Sequence, residues 1–151
     1  LMISCHDRPT IPGHARTPGI DAVMVRYNAA HPGAEGDVFP HLPDPRPGVV
    51  AYTATRWGDL LNPALVPAGE PVPRASDCYR FALASPSIDV CLCGPKDRVE
   101  LDEGMAALDR GAMTADEIAW MKRVGTEVKR RSAMQSGPVG LADRMMGART
   151  P

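Results

Sequence analysis

No stretch of this chain approaches the roughly 18 consecutive apolar residues that a membrane-spanning helix needs. Nor does any charged segment lead into an apolar one in the manner of a secretory signal peptide. A dominant charge is missing too: 17 Lys and Arg stand against 18 Asp and Glu, a formal net charge of −1. A DNA or RNA binder normally presents a basic face, so neither nucleic acid nor membrane is an expected partner. Cysteine is scarce, and four in the whole chain do not make a disulfide scaffold. Cys91 and Cys93 lie two apart, so on a strand they share a face and pack against a covering helix. Such cysteines behave as small hydrophobes in a reducing cytosol, and a cytoplasmic location is the expectation. A zinc-type site built from Cys91, Cys93 and His6 has no second ligand pair at the required spacing.

What remains is a chain of 151 residues, 44% apolar and 23% charged. That is enough for one globular core, by the rule of roughly 100–200 residues per domain. It begins Leu1-Met2-Ile3-Ser4, already inside an apolar run, and reads as a piece of a longer protein.

The organising stretch is Gly48 to Leu61, GVVAYTATRWGDLL. A short β-branched run, Val49-Val50-Ala51, leaves a Pro-Gly turn and ends in a polar, aromatic loop. In α/β folds, ligands sit beyond the carboxyl ends of parallel strands. Hydroxyls, a guanidinium, an aromatic face and a glycine in that place suit a phosphate-bearing aromatic ligand.

The remaining strands are read as Leu1–Ser4, Asp21–Asn28 with Val23, Val25 and Tyr27 on one face, and Ile88–Gly94. Prolines and glycines between Pro9 and Gly19 leave room only for a short helix, and Ala29–Leu42 reads as a loop with one helical turn. Ser76 is the expected N-cap of a helix from Asp77 to about Ala84. A second helix follows the Gly94 turn, with Leu101, Met105 and Leu108 inward and Gly111 just past its end. Thr114 and Glu117 form a capping box for the last helix, whose inner face carries Ile118, Met121, Val124 and Val128. Lys129, Arg130 and Arg131 fall at its negative end, and a flexible tail is expected over 132–151. Strands separated by helical or loop material predict βαβ units and a parallel sheet. About four strands are visible where a closed barrel needs eight. The fold class read here is therefore α/β, a partial (β/α)8 TIM barrel with its other half upstream.

Four landmarks occur in order: Ile3-Ser4, Tyr27-Asn28, Ala51-Tyr52-Thr53 with the loop to Leu61, and the Gly94 loop leading to Glu103. Together they resemble the carboxyl-terminal half of an aldo/keto reductase, over Leu1 to Arg131. The resemblance implies hydride transfer between a nicotinamide and a carbonyl or alcohol substrate, with NADP, or else NAD, held in an extended pose. By position it implies that Tyr52 stacks on the nicotinamide and Ser4 bonds its carboxamide. Thr53 to Leu60, with Gly58 inside it, would wrap the pyrophosphate through backbone N–H groups, Arg56 adding charge-assisted bonds. Gly94, Lys96 and Arg98 would meet the ribose 2′-phosphate beside a helix N-terminus, and Glu100 and Glu103 the adenosine end. Cys5, Met24 and Gly104 depart from the asparagine, glutamine and asparagine that the family commonly has there. The catalytic tyrosine, lysine, aspartate and histidine belong to the first half of such a barrel, so no residue of this chain receives a catalytic role. A non-catalytic barrel that binds a nucleotide or a protein is the alternative. Trp57 is expected to anchor its loop against the barrel rim.

Overall fold

The computed structural model describes residues 1–135. Strands β1 (Met2–Ser4), β2 (Ala22–Arg26), β3 (Gly48–Tyr52) and β4 (Val90–Cys91) form one sheet, every neighbouring pair parallel and in sequence order. Ile3 lies opposite Val23, Val23 opposite Val49, and Ala51 opposite Cys91. The connections carry short helical turns, α1 (Ile11–His14) after β1 and α2 (Ala34–Asp37) after β2, then the longer α3 (Ala75–Leu83) before β4. Helices α4 (Arg98–Asp109) and α5 (Ala115–Gln135) follow. The result is a partial TIM barrel of four parallel strands with helices outside it. No helix among the described residues is long and apolar enough to cross a membrane.

The two faces of the sheet have different fates. Val23, Val25, Val49 and Ala51 are fully buried, in one core with Leu60, Phe81 and Ala82, and Met121, Val124 and Val128 of α5. Each such Val or Met contributes roughly 1.5–3 kcal/mol by leaving water. Alternation along the strands puts Met2, Ser4, Met24, Val50, Tyr52 and Val90 on the other face, where all are half-buried or exposed. This is the inward face of a barrel, and it lies open. Strand β1 is accordingly an exposed edge rather than the buried strand expected.

Three further expectations need correction. Strand β4 stops at Cys91, so Cys93 lies beyond the ladder and is exposed. In α4 the buried residues are Gly104 and Ala107, while Met105 and Leu108 are 50% and 65% exposed. The helix is seated through its small residues: a Cβ at Gly104 would lie 3.1 Å from Cys93 Sγ and 3.2 Å from Tyr79. Helical spacing alone picks the bulky row, whereas close approach selects the small one. Helix α3 begins at Ala75 with Arg74 as N-cap. Asp77 caps it, accepting the Arg74 N–H at 2.9 Å, and Ser76 turns away to donate to Glu103 Oε1 at 2.8 Å.

The capping box of α5 is as read, with the Thr114 N–H donating to Glu117 at 2.8 Å and the Glu117 N–H donating to Thr114 Oγ1 at 3.2 Å. The helix runs through Gln135, so Lys129–Arg131 precede its last turn, and Arg130 and Arg131 instead bond Glu127. Ser132, where the expected tail begins, is buried; residues 136–151 of that tail lie outside the described residues. Gly125 lets α5 press on the β2–α2 loop, because a Cβ there would fall 2.2 Å from the Ala29 carbonyl oxygen.

Candidate functional site

The carboxyl ends of β2 and β3 are tied together by Asn28, which is fully buried. Its Nδ2 donates to the Thr53 carbonyl at 2.8 Å, while its Oδ1 accepts the N–H groups of Ala30 and His31 at 3.0 and 2.9 Å. The loop leaving β3 is tightly wound. Thr53, Arg56 and Trp57 have φ of 57°, 54° and 54°, followed by Gly58 at 90°. Three side-chain-bearing residues in the left-handed region store conformational strain that surrounding bonds must hold. Arg56 supplies several: its side chain is only 12% exposed and donates to Asp59, to the acceptor ring nitrogen of His31 and to Ser132 of α5. His31 is thereby kept neutral, its pKa pushed down to about 4 by burial first and then by the neighbouring cations Arg56, Arg26, Lys129 and Arg8.

Above this clamp lies a pocket of about 570 Å³, inside the ~300–1,000 Å³ usual for small-molecule sites. The β3 loop gives it Thr55, Trp57, Gly58 and Leu61. The start of α3 gives Pro73, Arg74, Ala75 and Tyr79; the β4 turn and α4 give Gly94, Pro95, Val99, Glu100 and Glu103. Trp57 is 72% exposed, so it stands over the pocket instead of packing on the rim as expected. The N–H groups of Arg56, Gly58, Asp59 and Leu60 bond loop carbonyls, whereas those of Thr55 and Trp57 have no acceptor among the described residues. Tyr79 is held protonated, its pKa raised by burial and then by its bond to Cys93.

Of the residues singled out from the sequence, Gly58, Gly94, Glu100 and Glu103 meet in this pocket. Ser4 and Tyr52 lie at strand ends on the open inner face, two strands apart. Thr53 is the carbonyl partner of Asn28, and Leu60 is fully buried under the loop. Arg56 points into the clamp. Lys96 and Arg98 are exposed beside the pocket, ion-paired with Glu100 at 2.7 Å and with Asp102 at 2.8 Å. The Lys96 pair raises the pKa of the lysine and lowers that of Glu100, in both cases through the bond between them. At Gly104 the packing against Cys93 and Tyr79, 3.1 and 3.2 Å from a Cβ placed there, crowds out the side chain of the asparagine that the resemblance would put at this position. Among the described residues no three His, Cys, Asp or Glu side chains are grouped to hold a metal.

Sequence reasoning named Asn28 only as a strand-end landmark and missed Arg74, Tyr79 and the inward role of Arg56. Arg74 had a readable signal, a cation directly before a helix N-terminus, which is the argument applied to Lys96 and Arg98. The clamp had none, because Arg56 and Ser132 are 76 residues apart.

No family model matches the chain, and no curated protein does. Solved structures do. The holo form of aldo-keto reductase AKR11C1 from Bacillus halodurans superposes with a TM-score of 0.64 and 16% identity, over 81% of this chain and 48% of that one. The apo form gives 0.59 and 14%, over 81% and 49%. The chain spans about half the length of these structures, and over that half it has the fold of an aldo-keto reductase.

Proposed function

We propose that this chain is the NADP-binding part of an aldo/keto reductase-like oxidoreductase, with NAD as the alternative dinucleotide. It would act on a small carbonyl or alcohol in the cytoplasm. The reacting tyrosine, lysine, aspartate and histidine are assigned to an upstream half of the same protein. One observation carries the reading: the β3 loop and the β4 turn converge on a single pocket at the carboxyl end of a parallel sheet. Ligands of such folds collect at that end.

The donor set suits a dinucleotide. Thr55 and Trp57 offer uncommitted N–H groups to a pyrophosphate. Glu100 and Glu103 offer acceptors to ribose hydroxyls and to the adenine amino group. Lys96 and Arg98 add positive charge at the turn. On the open inner face, Tyr52 presents a ring for offset stacking and Ser4 a hydroxyl for the carboxamide. The nicotinamide, when bound, supplies the hydride; the residues here would hold it and orient one ring face toward the substrate.

Titration of the chain with NADPH, followed by nucleotide fluorescence, should saturate, and Tyr52→Ala should weaken binding. Saturation with unchanged affinity in Tyr52→Ala refutes the stacking role. No binding by the unsubstituted chain refutes the cofactor reading.

A further inference from the structure

One guanidinium on the open inner face has no counter-charge. Arg26 is the last residue of β2, half-buried, on the Met24 side of the strand and paired in register with Tyr52 of β3. Among the described residues its side chain makes no hydrogen bond and no ion pair. Two neighbouring cations are answered, Arg56 by Asp59 and Arg8 by Asp37. Yet Arg26, Arg56, Lys129 and Arg8 all act on His31, so positive charge gathers at the carboxyl end of β2 in a chain whose net charge is −1. Drawing a cation partly out of water costs free energy unless an opposite charge meets it. Packing does not account for Arg26 either, because the face it stands on is uncovered, with Met2 51% and Val90 49% exposed.

We infer that Arg26 receives the carboxylate of the substrate, which makes the substrate class short oxo acids, or the hydroxy acids they give on reduction, in place of neutral aldehydes. The inference rests on the reductase reading above and deepens it. Neighbouring strands lie about 5 Å apart, so Arg26 stands beside the Tyr52 ring on which the nicotinamide is proposed to stack. A carbonyl held over that ring brings a carboxylate one bond away within reach of the guanidinium. The planar fork matches a carboxylate with two parallel bonds, and the pair orients the carbonyl as well as holding it. On reduction the carbonyl carbon gains hydride from the nicotinamide and its oxygen a proton from the upstream tyrosine, with the carboxylate unchanged. The pyrophosphate is a poorer occupant. The N–H groups assigned to it, those of Thr55 and Trp57, lie where the β3 loop meets the β4 turn, whereas Arg26 is on β2, on the other side of Tyr52.

The test uses the 151-residue chain and oxamate, an unreactive carboxylate of oxo-acid shape, with its neutral methyl ester as control, each titrated at neutral pH by NMR. Oxamate should bind about tenfold or more tightly than the ester, the worth of a hydrogen bond between charged groups. Arg26→Gln should remove that preference, and Arg26→Lys should keep part of it, a lysine being a point charge without the fork. NADPH affinity should stay within about twofold in Arg26→Gln, and circular dichroism checks that both variants are folded. Because Arg26 acts on His31, bound oxamate should also raise the pKa of that ring above its value of about 4, which a purely structural arginine would not do. Absent oxamate binding, a preference that survives Arg26→Gln, an unmoved His31 or an equal loss of NADPH affinity in that variant each overturns the inference and leaves the reductase reading standing. Oxamate binding that depends on Arg26 in a chain that takes no NADPH overturns the reductase reading instead and leaves a carboxylate site without it.

Discussion

Acidification should loosen the site through a single histidine. His31 is half-buried against Arg56 and is held near pKa 4, against 6.5 for the free side chain. Burial is the main cause, with Arg56, Arg26, Lys129 and Arg8 adding repulsion. The unfolded chain therefore binds the proton more readily than the folded one between these two values. Stability is present in full above pH 6.5 and is lost as pH falls through about 4. At about 1.4 kcal/mol per pH unit that interval corresponds to ~3 kcal/mol, and screening of a partly exposed ring reduces it to ~2 kcal/mol. The carboxylates act in a lower window. Glu117 and Glu127, drawn from 4.5 to about 2 by their arginine partners, and Asp89, drawn from 3.8 to about 2 chiefly by Arg46, weaken only below those starting values. Urea unfolding across pH 7 to 4, on the unsubstituted chain and on His31→Gln, separates the two. The unsubstituted chain should lose ~2 kcal/mol more than the variant, and the His31 ring should resist protonation in an NMR titration until about pH 4. Parallel stability curves, or a ring that titrates near 6.5, refute the reasoning.

Three other perturbations test the packing and the pocket. Gly125→Ala drives a methyl to 2.2 Å from the Ala29 carbonyl oxygen and should cost ~3 kcal/mol; an unchanged melting temperature would contradict the close seat of α5. Arg80 is buried and bonds Glu117 twice and the carbonyls of Gly111 and Ala112. Arg80→Met should therefore destabilise by ~3 kcal/mol, seen as a lower urea midpoint with the same slope. Trp57→Ala should leave stability nearly untouched while weakening NADPH binding by about fivefold, the low end of a base–aromatic stack; unchanged affinity would remove Trp57 from the site.

The parallel sheet was legible because β2 and β3 are short apolar runs, separated by helical or loop material and ending in polar residues. The capping box of α5 was legible because both its members lie three residues apart. Local rules failed where the third dimension decides. Nothing in the period of α4 says that Gly104 and Ala107 face inward, since that follows from how closely Tyr79 and Cys93 approach. The edge status of β1 and β4 is likewise a property of the sheet and of no single residue. Four of the pocket's thirteen lining residues were readable, because Gly58 and Gly94 mark turns at strand ends and Glu100 and Glu103 follow on the helix after the second turn. Trp57 was misplaced because an aromatic is by default a packing residue, and only the left-handed backbone at positions 56–58 throws its ring outward.

The bond from Arg56 to Ser132 joins the loop after β3 to the far end of the longest helix. That joint makes the closing turns of α5 a mechanical tether. Whatever unwinds them, whether a fusion partner, an affinity tag or a truncation at position 132, slackens a loop that is distant in sequence. Modifying that end of the chain would therefore register as weaker ligand capture, well before any global melting was seen.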